Sequence, residues 1–374
     1  MQLIEKDQIT IETKDENILW KELLDKSITQ VEELNSICKC DIEGEEIKAV
    51  IKKYPMKINP YYLSLIRKEG DAIWKQCVPD KMELMDPTGL DDPLHEEVDS
   101  PVPGLTHRYP DRVLLLVSNQ CAMYCRFCTR KRKVGVPYKS ITRKNLTKAI
   151  SYIKEHKEVR DVVLSGGDPL LLPTDKLEAI ISELRSINHV QIIRIGTRTL
   201  CTLPQRITKE LCNMLKKYQP LYINTHFNHP REITKEARKA CEVLADAGIP
   251  VGNQTVLLKG INDSPKIMRD LVHKLLTIRV KPYYVYQADL TKGTNHFRTN
   301  IKEGVDIIKS LIGHTTGMCV PHFIVDSPGG GGKIPLLPQY GEMSQNGVKL
   351  KNYEGKVFWY PNPKNESQMR LTDY

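Results

Sequence analysis

Three cysteines stand on one short run, Cys121-Ala122-Met123-Tyr124-Cys125-Arg126-Phe127-Cys128. Three thiolates from a single loop can hold three irons of a cubane cluster and leave the fourth iron open. An open iron can bind a chelating amine and carboxylate, such as those of S-adenosylmethionine, and an electron from the cluster can then cleave the sulfonium. The spacing is neither the paired C-x-x-C of a zinc ribbon nor a ferredoxin run. Zinc binding, or packing in a core, is the other use for three such cysteines.

Further candidates follow along the chain. Ser165-Gly166-Gly167-Asp168 ends the next apolar run. Glycines there let backbone approach a ligand, and exposed backbone polar groups suit a methionyl amine; a plain β-α turn fits as well. Gly329 to Gly332 precede Lys333. Four glycines cost backbone entropy, which a flexible loop carrying a reactive lysine would justify. Such a lysine forms a Schiff base with pyridoxal phosphate; the alternative is a mobile surface loop. Arg130, two residues past Cys128, suits a two-pronged grip on a carboxylate. Asp289 and Asp326 each end an apolar run and together suit one ammonium group. Arg108 and Arg112, near Tyr109, suit a phosphate dianion. Helix caps and surface ion pairs are the plainer readings of these charges.

These groups need a frame. Apolar runs at Val113–Val117, Asp161–Leu164, Gln191–Ile195, Leu221–Asn224, Val251–Val256 and Pro282–Tyr286 alternate with helical patterns at Thr142–His156, Asp175–Ile187, Pro230–Ala247 and Ser264–Leu276. Such β-α alternation predicts a parallel sheet, and chemistry at the carboxyl ends of its strands. The expected fold is α/β: a partial (β/α)6 TIM-like barrel over 101–318. An N-terminal helical region and linker precede it over 1–100, the acidic, Pro- and Gly-rich stretch Asp86–Pro103 being the linker. A small C-terminal segment over 319–374 carries Lys333.

The 374 residues suffice for a large core. Composition is 40% hydrophobic and 27% charged, with a formal charge of +9. That excess suits anionic small molecules. The main basic cluster abuts the cysteine loop and aromatics are only 6%, so no nucleic-acid partner is expected. Ten cysteines in so long a chain are not a disulfide framework. The polar stretch Met1–Leu19 shows no signal peptide, and no apolar run reaches the roughly 18 residues of a membrane span. The expected location is a reducing cytoplasm.

Taken together, these residues resemble the lysine 2,3-aminomutase family of radical S-adenosylmethionine enzymes. The likeness runs from about Trp20 to Gly355 and is densest in Asp92–His95, Ser100–Arg112, the cysteine loop and Asp326–Lys333. It implies that Cys121, Cys125 and Cys128 ligate a 4Fe-4S cluster, with S-adenosylmethionine on the fourth iron. Gly166, Gly167 and Asp168 then lie near that ligand, with His226 and Gln254 as further contacts. It implies that Lys333 carries pyridoxal phosphate, whose phosphate Arg108, Tyr109 and Arg112 hold. Arg130 then takes the substrate carboxylate, and Asp289 with Asp326 the ε-ammonium. The implied reaction moves the α-amino group of L-lysine to C3, giving L-β-lysine, with an unidentified one-electron donor. Two carboxylates in one pocket disfavour glutamate; arginine or a protein-bound lysyl group is the alternative substrate.

Two departures stand out. Phe127 occupies the place before the last cluster cysteine where the best-known members carry histidine, which predicts an altered surrounding with cleavage retained. Ser264 follows Asn262-Asp263, and no cysteine lies beyond Cys319. The intersubunit metal site of some members is therefore not expected. A homo-oligomer remains the expectation, without that support for its subunit count.

Overall fold

The computed structural model describes residues 15–363, except 41, 43 and 137–140. The 1–14 part of the stretch read for a signal peptide, and the end of the C-terminal segment over 364–374, lie outside the described residues. Nine strands form one sheet in sequential order: β1 (Leu105–Tyr109), β2 (Arg112–Ser118), β3 (Asp161–Gly166), β4 (Ile192–Gly196), β5 (Leu221–Thr225), β6 (Val251–Leu257), β7 (Lys281–Gln287), β8 (His322–Ser327) and β9 (Gly332–Pro335). Neighbours from β2 to β8 are parallel, while β1 and β9 close the two ends antiparallel. Strand order never reverses, so the sheet curls one way into a nearly closed barrel. The run at Pro321–Asp326, read apart from the six repeats, is the seventh parallel strand.

Helices precede and cover this sheet. The N-terminal region supplies α1 (Glu16–Asp25), α2 (Val31–Cys38), α3 (Glu45–Lys53), α4 (Pro60–Leu63) and α5 (Trp74–Cys77). The crossovers supply α6 (Arg143–Glu155), α7 (Thr174–Arg185), α8 (Thr199–Thr202), α9 (Lys209–Lys216), α10 (Lys235–Asp246), α11 (Pro265–Thr277) and α12 (Ile301–Lys309). Among the described residues, no helix is long and apolar enough to cross a membrane. Local chemistry sets the helix ends: Thr142, Thr208 and Thr234 each cap the first turn through the side chain.

The strands alternate in character. Val113, Leu115 and Val117, then Val162 and Leu164, then Ile193 and Ile195, are buried in one core with Ile150, Ile153, Ile181, Leu184 and Leu215 of the helices. Intervening residues turn inward, and many are polar: Arg112, Asp161, Arg194, Tyr222, Asn224 and Gln254 line a cavity of about 750 Å³. Tyr222 stays 39% exposed within it. The lumen is therefore hollow, unlike the filled interior of a closed eight-stranded barrel.

Two flanking regions lie against the barrel. Buried Asn59 donates to the carbonyls of Ala122 (3.0 Å) and Thr202 (2.8 Å), tying α4 to the cysteine loop and to α8. Asp86–Pro103 joins the N-terminal region to β1, as a linker does, yet it is held in place. Leu90 pairs with Leu290 and Lys292 through backbone, and Asp99 accepts from the His107 amide. The C-terminal strands β10 (Gly341–Ser344), β11 (Gly347–Lys351) and β12 (Val357–Pro361) form a separate antiparallel sheet.

Candidate functional site

The cysteine loop leaves the end of β2 and is braced from the N-terminal side. Tyr124 donates its amide to the Lys57 carbonyl (2.9 Å), and Met123 bridges to Ile58. The Arg126 side chain is buried. It donates to Glu83 at 2.9 and 2.6 Å, and to the carbonyls of Pro55 and Tyr54. Lys131 joins the same Glu83 carboxylate at 2.5 Å. Burial pulls the Glu83 carboxyl upward, but Arg126 and Lys131 outweigh it and hold the group below its usual range. Burial pushes Lys131 down to about 8. An ion group this enclosed is worth little as net stability, but losing one member would strand the rest. Its effect is to fix the loop between two parts of the fold.

The three thiols are free and partly exposed. Burial, followed by Asp168 and the two neighbouring cysteines, pushes Cys121 well up. Burial and Cys125 push Cys128 up to about 11. Two thiols on one loop that both resist ionising, Cys121 and Cys128, fit a ligand that brings positive charge, as iron does. Among the described residues no three His, Cys, Asp or Glu side chains close around one ion.

Gly166 and Gly167 lie directly under this loop. Gly166 has φ +128°, and a Cβ there would sit 2.1 Å from the Ser118 carbonyl oxygen; one on Gly167 would sit 2.4 Å from that of Gln120. Amides of Gly167 and Asp168 donate to those same carbonyls at 2.6 and 2.7 Å. The glycines thus lock β3 to the cysteine loop by backbone contact, whatever ligand they also approach. Gly166→Ala should cost about 2–4 kcal/mol through strain and overlap, seen as a lower denaturation midpoint together with reduced iron retention. The Asp168 carboxylate accepts from Thr197 Oγ1 (2.7 Å) and from the amides of Arg198 (2.8 Å) and Leu170 (3.1 Å). Burial pushes this carboxyl up. Its side chain orders the loops after β3 and β4.

His226, just past β5, lies at the edge of the Phe127 ring, 5.6 Å between centroids. Burial, then Arg198, pushes the imidazole down to about 3, so it is neutral and bonds Asn228 at 2.9 Å. Phe127 fills the space between His226 and Phe297. Gln254, on the inner face of β6, lines the cavity.

At the carboxyl ends of the strands, Arg130 joins the cysteine loop to the cavity. Its Nε and Nη2 grip Glu96 at 3.0 and 2.5 Å, and its Nη1 donates to Ser165 Oγ at 3.1 Å. Lys333 enters the same cavity from the other side. It lies on β9, directly opposite Asp326 of β8, and the two side chains pair at 2.7 Å. A flexible loop is the sequence expectation for this lysine, and the structure differs. Gly329, Gly330 and Gly332 take φ of 74°, 81° and 81°. The glycines supply the left-handed backbone that a tight hairpin needs, and the turn holds the lysine in a strand. Asp289 is half-buried in the electrostatic reach of this pair. Burial, then Asp326, pushes its carboxyl up to about 7, while Lys333 and Arg130 pull the other way. Arg130, Asp289, Asp326 and Lys333 therefore share one electrostatic neighbourhood.

The three residues expected around a phosphate divide. Tyr109 accepts the Lys333 amide at 3.0 Å. Arg108 is spoken for by Asp99 (2.8 Å) and the Leu94 carbonyl, with Asp326 at 3.7 Å. Arg112 stacks on the Tyr109 ring at 3.8 Å and pairs with Asp111. Deeper in the lumen lies an Arg194–Asp161 pair at 2.9 Å. Sequence reasoning missed Arg194, Asp161 and Glu96. Isoleucines on both sides of Arg194 mask the alternation that would mark it as inward, Asp161 stands at the start of its strand, and nothing local marks Glu96.

Comparison with known proteins bears on this arrangement. Residues 115–272 match the family model described as Radical SAM superfamily, and residues 308–374 the one described as Lysine-2,3-aminomutase. The chain is 53% identical over 351 residues to the L-lysine 2,3-aminomutase of Clostridium subterminale, covering 92% of this chain and 84% of that protein. It is 50% identical over 352 residues to the L-lysine 2,3-aminomutase of Bacillus subtilis, covering 93% and 74%. It is also 50% identical over 345 residues to the glutamate 2,3-aminomutase of Clostridioides difficile, covering 91% and 81%. Half the residues retained across nine-tenths of the chain, with the cysteine loop inside the matched barrel, make this protein a member of the lysine 2,3-aminomutase family of radical S-adenosylmethionine isomerases, which work with a 4Fe-4S cluster.

Proposed function

We propose that the chain interconverts L-lysine and L-β-lysine, with the cluster on Cys121, Cys125 and Cys128 and pyridoxal phosphate on Lys333. The observation that carries the reading is Asp326. One of its oxygens takes the Lys333 ammonium, while Oδ1 is buried without a hydrogen-bond partner among the described residues. A buried carboxylate oxygen with no hydrogen bond, and with Arg108 Nη1 facing it only at 3.7 Å, is suited to a substrate ammonium, with Asp289 as a second acid in the same electrostatic neighbourhood.

When bound, the cofactors supply one-electron chemistry, hydrogen abstraction and an aldehyde for the substrate amine. The chain contributes alignment and exclusion. Lys333 offers its amine from a fixed strand. The Arg130 fork, once released by Glu96, offers two parallel donors to the substrate carboxylate. Asp289 and Asp326 measure the length and the charge of the side chain. Arg108, Tyr109 and Arg112, all lining the lumen, are the groups to hold the phosphate, with Arg194 deeper in the same cavity.

Glutamate is the competing substrate, given the relative of that name. A third carboxylate about 4 Å from Asp326 costs about 4 kcal/mol at an effective dielectric near 20, roughly a thousandfold. Anaerobically reconstituted protein given ¹⁵N-labelled lysine, with glutamate and arginine in parallel, tests the proposal by mass spectrometry. No β-lysine above background, with the cluster present, would end it.

The acid pair also sets a pH dependence. Asp289 keeps its proton below about 7, and the protonated form cannot pair with an ammonium. The KM for lysine should therefore fall as pH rises from 6 to 8, and Asp289→Asn should flatten the profile. A profile unchanged by that substitution removes Asp289 from the site.

A further inference from the structure

We propose that Arg198 is a positioning residue that raises the reduction potential of the cluster through a charge-assisted hydrogen bond to Cys125. The inference rests on the reading of Cys121, Cys125 and Cys128 as cluster ligands, and deepens it. Arg198 follows β4, and its Nη1 lies 2.8 Å from the Cys125 sulfur. Neither Cys121 nor Cys128 has a guanidinium donor among the described residues. One corner of the cluster is thereby distinguished from the other two.

The guanidinium is held so that this contact is not optional. Its Nη2 donates to Gln76 Oε1 at 2.6 Å and to Glu232 Oε1 at 2.8 Å, and its Nε to the His226 carbonyl at 3.3 Å. Arg198 is only 8% exposed and Glu232 fully buried. Glu232 is itself fixed by Tyr62 Oη (2.7 Å) and by the amides of Asn228 (2.6 Å) and His229 (2.9 Å). A cation buried this deeply needs its counter-ion, and the carboxylate satisfies that need without touching the sulfur. Of the five N–H groups the two on Nη1 remain, and that nitrogen faces Cys125.

Hydrogen bonds to cluster sulfurs and local positive charge both favour the reduced state, because reduction adds one negative charge. An ionised donor gives the stronger form of that bond. Gln76 and Tyr62 come from the N-terminal region, so this region would act on the electron-accepting step as well as on packing.

The test is an anaerobic dithionite titration of reconstituted wild type, Arg198→Gln and Arg198→Lys, read by the paramagnetic signal of the reduced cluster. One electron from dithionite takes the cluster from its 2+ to its 1+ state. At matched ambient potential, Arg198→Gln should lower the reduced-to-oxidised ratio at least tenfold, about 59 mV for one electron. Arg198→Lys, which keeps the charge but loses the fork, should fall between. Iron and sulfide contents are measured on each sample. Should Arg198→Gln not retain four irons, Arg198→Lys decides, with at least a threefold lower ratio expected. Variants with intact clusters that titrate with wild type would overturn the role of Arg198 alone. A wild-type protein that forms no such cluster would instead overturn the reading of the cysteine loop.

Discussion

Lys333→Ala should abolish lysine turnover, lowering it about 10³-fold or more, while the barrel stays folded. The side chain is one-third exposed, and its only ion pair among the described residues is with Asp326. The strand it stands on is held by backbone pairing of Asp326 with Lys333 and of Val325 with Ile334, which alanine keeps. Loss of the ammonium leaves Asp326 facing Arg108 alone at 3.7 Å, a destabilisation of about 1–3 kcal/mol. Lys333→Arg separates the two effects. It restores the counter-charge, and with it most of the stability, yet lacks an amine that adds to an aldehyde. Both variants should therefore be inactive, with Lys333→Arg the more stable by chemical denaturation. Normal β-lysine formation by either one, assayed by mass spectrometry, would remove the lysine from the chemistry.

The second large effect is on substrate choice. Asp326→Asn should reduce kcat/KM for lysine by two to three orders of magnitude, the roughly 3–4 kcal/mol expected when one partner of an enclosed charge pair is truncated. The asparagine keeps the shape and leaves both Lys333 and the incoming ammonium without their counter-charge. Norleucine, similar in length but lacking the ammonium, supplies the internal control. Its affinity, measured by competition, should fall far less than that of lysine in Asp326→Asn. Equal losses for the two ligands would mean that the substitution acts through Lys333 or the hairpin rather than through recognition.

Much of this frame could be read from the chain. The cysteine loop announces itself because its chemistry is local: three thiols within eight residues need no tertiary partner to be noticed. The strands were visible as short apolar runs. Their inner faces were not, because Arg194 sits among isoleucines and Tyr222 between Leu221 and Ile223, so apolar neighbours mask the alternation. The glycines before Lys333 suggested freedom of motion and instead serve a turn, since the need for a positive φ leaves no trace in composition. Glu96 illustrates the hardest case. Its grip on Arg130 joins residues 34 apart in the chain, from a segment whose prolines and acids read as a linker. Long-range pairing of that kind depends on where the strap crosses the barrel mouth, which only the assembled fold defines.

The position of β9 has a consequence for engineering. It is the last strand of the sheet and pairs with β8 alone, so the reactive lysine rides on a terminal piece that the seven parallel strands do not need for their own ladder. A protein cut within the glycine turn would retain every parallel pairing and forfeit the amine together with β9 and the C-terminal strands that follow it. Supplying the missing strand as a synthetic peptide would then allow semisynthesis at this position, with unnatural amines of altered length or basicity installed one atom at a time.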